Sequence, residues 1–216
     1  MRSIAFAAAL AVATNAANVF RSCQKPTMQQ DFDVSKYLGT WYEQRRDKDC
    51  AYEDGVCNTA NYQLTDNPKK LRVRNNEYHE DESEWEGGTG TATIVDPDAH
   101  EGYLKVKFVP LVPAGDYKIL ETDYDNYTVI YTCTGVPHTF NVEYAWILTR
   151  DQNPSDEIMS KALSVLAEKV PKYDFDTAFY ETPQMLSDGS ACPGNAPTST
   201  QEKFWGVKQA IEFFTQ

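Results

Sequence analysis

Few side chains in this sequence combine into reactive chemistry. The three histidines, His79, His100 and His138, stand far apart, and no pair has the spacing of a metal-binding motif. There is no Gly-x-Ser-x-Gly elbow and no glycine-rich phosphate loop. Cys50 is the one thiol placed like a nucleophile. Arg45, Arg46 and Lys48 would lower its pKa, while Asp47, Asp49, Glu53 and Asp54 oppose them, and a reactive thiol needs a clearly electropositive setting. Glu80-Asp81-Glu82 reads as a charge run, from which no acid–base pair follows. The sequence therefore predicts no catalytic residues, no metal ligands and no cofactor. What it does offer is apolar and aromatic side chains in alternating runs, the material of a pocket wall.

Those runs are strands. Trp41 to Arg46 is the first, and in Asn58 to Thr65 the residues Ala60, Tyr62 and Leu64 share one face. Leu71, Val73 and Tyr78 mark a third. Glu84 to Val95 is long and holds Gly87, Gly88 and Gly90, glycines that signal a bulge or bend. Tyr103 to Val109, Tyr117 to Glu121, Tyr127 to Cys133 and Phe140 to Leu148 follow, the last with Val142, Tyr144, Trp146 and Leu148 in one register. Turn residues separate them, as in Asp96-Pro97-Asp98 and Pro113-Ala114-Gly115. Eight short strands at this rhythm predict an all-β sandwich or an up-and-down barrel, and spacing alone does not choose. One helix follows. Asn153 suits its N-cap and Pro154 its first position, Ile158, Ala162, Leu163 and Leu166 form an apolar stripe, and Pro171 ends it. The stripe is expected to pack on the outside of the sheet.

The ends and the charge set the context. Met1-Arg2, the apolar run Ile4 to Ala13 and the small residues Asn15-Ala16-Ala17 have the layout of a secretory signal peptide, too short to span a bilayer. The expected domains are a leader at 1–17, a β domain at 18–193 and a C-terminal extension at 194–216, in a secreted protein that is not transmembrane. Hydrophobic residues make up 41% of the 216 residues, enough for a core. A net charge of −12 argues against nucleic acid and anionic lipid as partners. Secretion makes Cys23, Cys50, Cys57, Cys133 and Cys192 readable as a disulfide framework with one cysteine left over, but spacing does not assign the pairs.

Three motifs in order carry a family resemblance. Phe32 to Glu43 contains Gly39-Thr40-Trp41, Ile119 to Tyr127 contains Thr122-Asp123-Tyr124, and Ala145 to Arg150 ends in arginine. Together they resemble the three lipocalin signatures, over roughly Cys23 to Pro193. Gly55 to Tyr62 and Val129 to Cys133 are similar to the branch that holds apolipoprotein D and the pigment-binding insecticyanins and crustacyanins. The resemblance implies an eight-stranded calyx with one helix outside it. Trp41 would plug the floor, Arg150 would lie across its indole, and Thr122, Asp123 and Tyr124 would form the adjoining turn. It implies Cys23–Cys133 and Cys57–Cys192 bridges with Cys50 a free thiol; a Cys50–Cys57 bridge is the alternative. It places Asp47 to Gly55, His79 to Ser83, Pro110 to Gly115 and Thr134 to Thr139 around the open mouth, the second of these strongly acidic.

The function implied is extracellular binding and transport of a small hydrophobic ligand such as a sterol, retinoid, carotenoid, bilin or lipid. Tyr62 and Trp146 would be its aromatic walls, with Ala60, Leu64, Val142, Tyr144 and Leu148 beside them. The alternatives are a lipocalin enzyme of the isomerase or de-epoxidase type, resting on Cys50, and a secreted interaction module. His138 is the one mouth histidine considered for an axial haem ligand, on a weak claim. Asn126-Tyr127-Thr128 is a glycosylation sequon on a closed-end turn. In the extension, Ser199 and Glu202 have capping-box spacing, and Phe204, Val207, Ile211 and Phe214 predict an amphipathic helix from about Thr200 to Phe214. That helix, or the apolar Pro110 to Ala114 loop, is the expected surface for a protein or lipid contact.

Overall fold

A computed structural model describes residues 17–19, 22–48, 50, 53–110, 113–136 and 140–194. The expected leader up to Ala16, His138, and the C-terminal helix beyond residue 194 lie outside the described residues. Eight strands follow one another as nearest neighbours: β2 (Gly39–Asp47), β3 (Val56–Leu64), β4 (Lys70–His79), β5 (Glu84–Ile94), β6 (Tyr103–Lys107), β7 (Gly115–Thr122), β8 (Tyr127–Val136) and β9 (Phe140–Thr149). Every pairing is antiparallel, and β9 returns to pair with β2, so the sheet closes into an up-and-down barrel rather than a sandwich. Two short strands, β1 (Ala17–Val19) on β9 and β10 (Phe179–Glu181) on β2, extend the pairing at the rim. A short helix, α1 (Val34–Tyr37), precedes β2 at one end.

Two cores lie on the two sides of the barrel wall. The inner one gathers Trp41, Ala60, Tyr62, Leu71, Val73, Ala92, Leu104, Ile119, Ile130 and Leu148, together with Phe32 and Tyr37 from the entering chain. The outer one gathers Leu120, Val129, Tyr131, Ala145 and Ile147 under Ala162, Val165 and Leu166 of α2 (Asp156–Lys169). Strands β8 and β9 are thus covered on both faces, which is why Val129 to Tyr131 and Tyr144 to Leu148 are continuous apolar runs. β4, bare on its outer side near the floor, alternates Leu71 and Val73 with exposed Arg72.

α2 starts two residues later than expected. Ser155, not Asn153, is its N-cap, with its Oγ accepting from the amide of Ile158. Asn153 instead sits in a turn, its amide held 2.9 Å from Asp151 Oδ1, and Pro154 lies before the helix. Asp156 and Glu157 in the first turn and Lys169 in the last complement the helix dipole. After α2 the chain forms α3 (Phe175–Ala178) and β10, then runs back along β3. Disulfides join Cys23 to Cys133 and Cys57 to Cys192, so both flanking segments are fastened to the wall.

Candidate functional site: a half-filled calyx

The closed end is built around Trp41. Its indole is fully buried, and Nε1 donates to the carbonyl of Tyr37 at 2.9 Å. The Arg150 guanidinium carbon stands 3.7 Å from the indole centroid. Its three donors reach the carbonyls of Tyr124, Thr40 and Lys36 at 2.8–2.9 Å, tying the turn after β7, the start of β2 and α1 to one cation. Gly39 has φ +93°, a conformation that disfavours any side chain, and Arg150 lies close against it. Thr122 Oγ1 donates to the Tyr127 carbonyl and accepts from the Tyr124 amide, while Asp123 accepts the amides of Asn126 and Tyr127. Asn126 is exposed on that turn.

Packed against Trp41 is a group of tyrosines, with the Tyr37 ring 5.1 Å from the indole and 5.1 Å from Tyr62. Tyr62 donates to the Tyr117 hydroxyl at 2.8 Å, and the Tyr37 hydroxyl lies 3.2 Å from the same atom. Burial pushes the Tyr37 phenol up to about 12 and those of Tyr62 and Tyr117 well above their ordinary value, so all three stay neutral. Ala60, Leu148 and the rings of Tyr37 and Tyr62 fill this lower half.

The upper half is different. Asn75, Val106, Tyr117, Thr132, Val142, Tyr144 and Trp146 share the inward register of the buried core residues on their strands, yet each keeps partial exposure. Side chains that point into a barrel and remain accessible line open space. Trp146 and Tyr144 stand together there, ring centroids 6.0 Å apart. Asn75 Oδ1 and Asn58 Oδ1 are buried and hydrogen-bond to none of the described residues. Two surface clefts, of about 470 and 510 Å³, lie outside the barrel: one on the outer face of β4 to β6, the other beside the closed end at Asp31 to Ser35.

Two sequence expectations about this site need correction. Leu64 does not line the lumen. It is the last residue of β3, two positions past the Gly39–Tyr62 pair that starts β2, and it is 64% exposed. The Asp47 to Gly55 connection is not simply an open rim either. Cys50 and Glu53 are 3% and 8% exposed, and Glu53 Oε2 accepts from Trp146 Nε1 at 2.8 Å and from the Cys50 thiol at 3.2 Å. Cys50 is in neither disulfide, and burial against a carboxyl deprives it of the exposed, electropositive setting expected of a nucleophile. Burial, with Glu43 nearby, pushes the Glu53 carboxyl up to about 8. Glu43 is also raised by burial, against the pull of Arg46 2.9 Å away. Arg46 Nη1 and Thr182 Oγ1 both bond Glu43 Oε1, closing a buried polar knot where β10 meets β2.

Closed barrel, outer helix, Trp–Arg floor and open upper lumen together define a lipocalin. The Lipocalin-like domain model matches residues 32–182, and the chain belongs to that family. Apolipoprotein D of Cavia porcellus is 36% identical over 149 residues, 68% of this chain and 76% of that one. Among solved structures, insecticyanin of Manduca sexta superposes with a TM-score of 0.66 at 23% identity, covering 81% of this chain and 92% of that one. The amine-binding protein of Rhodnius prolixus, solved as its tryptamine complex, does so at 0.55 and 18%, covering 74% and 85%. Among the described residues no helix is long and apolar enough to cross a membrane.

Proposed function

We propose that this lipocalin binds and carries a small, mainly apolar molecule outside the cell, in the upper half of its barrel. The observation that carries the reading is the contrast along the barrel axis: a filled, bolted floor below, and accessible inward-facing Val106, Tyr117, Val142, Tyr144 and Trp146 above it. Ligand pockets combine apolar walls with a few orienting polar groups, and here Glu53, Asn75 and the Tyr117 hydroxyl would supply those. Tyr62, Ala60 and Leu148 would form the base against which the ligand rests. The tryptamine complex of the Rhodnius prolixus protein is an instance of a small aromatic molecule held on this fold. Two long-range disulfides suit an oxidising, extracellular setting, and an exposed Asn126 on the closed-end turn would carry a glycan clear of the mouth. No catalytic residue is assigned.

The test is native mass spectrometry of the chain purified from its own source, followed by solvent extraction and identification of what it releases. A stoichiometric apolar compound is expected. A chain that leaves its source empty and takes up none of a panel of sterols, retinoids, fatty acids and aromatic amines overturns the reading.

A further inference from the structure

We propose that the open end of the barrel is a binding site for a divalent transition-metal ion of the zinc class, held by Glu77, His79, Glu86 and Asp54. The proposal is independent of what the lumen carries.

The strand pairing brings three of the four together. Glu77 and His79 are two apart on β4 and so share the inward face, and Glu86 on β5 is the direct cross-strand partner of Glu77. The fourth comes from the incoming mouth loop. His79 Nε2 stands 3.5 Å from Glu77 Oε1, 3.8 Å from Asp54 Oδ1 and 3.8 Å from Glu86 Oε2. The donor atoms of Asp54, Glu77 and His79 all lie within 4.8 Å of one another. Two ligand atoms each about 2.1 Å from a shared metal, at open tetrahedral angles, are roughly 3.4–3.8 Å apart. The three distances from His79 Nε2 are therefore those of donors around a common cation, and Glu86, outside that group of three, would complete the set by a small side-chain rotation.

A plain imidazolium–carboxylate clamp predicts something else. One N–H would settle on one carboxylate oxygen at about 2.8 Å. His79 Nε2 does not: it is buried, faces three carboxylates and hydrogen-bonds to none of the described residues.

Glu77 is built as a ligand would be. Its side chain is 1% exposed, and Oε2 accepts from the amides of Asp54 and Gly55 at 3.1 and 2.9 Å and from Asn58 Nδ2 at 3.2 Å. Those bonds fix the carboxylate with Oε1 towards His79, the orienting work that outer partners do around metal ligands. The loop backbone comes so close that a Cβ on Gly55 would meet Glu77 Cβ at 2.9 Å, which explains a glycine there. The Asp54 side chain is 75% exposed and leaves the site accessible from solvent. One imidazole with carboxylates suits zinc, cobalt or manganese; calcium and magnesium prefer oxygen-only sets. Bound metal would pin the mouth loop to β4 and β5 over one side of the lumen.

The experiment uses the untagged, disulfide-intact chain stripped with chelator, titrated with zinc by calorimetry and by competition with a chromophoric chelator at pH 7.5. One zinc per chain is expected, with calcium and magnesium at least about 100-fold weaker. His79→Ala should weaken zinc at least about 100-fold, and Glu86→Gln, which leaves the buried loop contacts of Glu77 alone, about 10-fold. His100→Ala, at the closed end, should bind as wild type. Each variant is checked by its melting curve. Absence of stoichiometric zinc uptake by folded wild type, full uptake by folded His79→Ala, or equal affinity for calcium each overturns the proposal.

Discussion

Glu53 Oε2 and Trp146 Nε1 are 2.8 Å apart inside the barrel mouth, so the aromatic wall of the lumen and the buried mouth loop are joined by one hydrogen bond. The bond fixes the orientation of the indole and sets a titration. Burial raises the Glu53 carboxyl from 4.5 to about 8, so the folded chain holds a proton there at neutral pH. Glu43, raised for the same first reason, acts in the same sense. Below pH about 4.5 folded and unfolded chains are both protonated, and the contribution to stability is complete. Between about 4.5 and 8 the unfolded chain has released a proton that the folded chain keeps, so stability falls as pH rises. The expected outcome is a thermal midpoint that declines across this window. Glu53→Gln, which can still accept from Trp146, should flatten the decline; an unchanged slope in that variant would refute the assignment.

The floor should behave as a structural bolt. Trp41→Ala empties a fully buried indole site and should cost about 3–5 kcal/mol. Arg150→Ala removes the cation from the indole face and three donors from the carbonyls of Tyr124, Thr40 and Lys36. Because the site is partly solvated, the cost should be smaller, about 1–2 kcal/mol. Urea unfolding measures both, and wild-type midpoints in the two variants would exclude the bolt.

What the sequence discloses of this fold, and what it hides, divide by range. Alternation along β4 and the double-sided apolar runs of β8 and β9 are local, and they locate the barrel wall and the face that α2 covers. The three signatures give the floor because each motif places its own residue there. The N-cap falls at Ser155 rather than Asn153 because both are good caps, and a local turn made by Asp151 decides between them. The mouth loop is illegible for a stronger reason. Its inward path depends on Glu77, more than twenty residues away, accepting two loop amides, and on Glu53 meeting Trp146 across the lumen. His79 has no second histidine at motif spacing to mark it, and its neighbours are carboxylates that only strand pairing assembles. An i, i+2 Glu-x-His on an inward strand face, beside an acidic hairpin, is the signal the sequence does carry.

The two bridges close loops with sequence separations of 110 and 135 residues, long enough to restrict the unfolded chain strongly. Replacing Cys57 and Cys192 together by serine should cost about 2–5 kcal/mol and loosen the segment after β10 first. Cys50→Ala should leave both bridges intact, since Cys50 belongs to neither. Peptide mapping under non-reducing conditions reads the pairing, and a Cys50–Cys57 peptide would contradict it.

The lumen assignment separates two tryptophans by the face of the barrel wall each one presents. Trp146 points inward beside Tyr144, whereas Trp85 points outward, packs on Tyr78 and donates to the Pro193 carbonyl. Trp146→Ala should therefore weaken capture of a neutral lipophilic dye such as Nile red by about 2–3 kcal/mol, the transfer free energy of one large apolar side chain buried against the dye. It also leaves Glu53 without its indole donor, so Trp146→Phe serves as the intermediate variant: it keeps ring area and should recover most of the affinity. Trp85→Phe should bind as wild type. Quenching of tryptophan emission on dye uptake should disappear in Trp146→Phe and persist in Trp85→Phe. Equal dye affinity in wild type and Trp146→Ala, with the barrel still folded by circular dichroism, would move the ligand out of the upper lumen and onto one of the surface clefts.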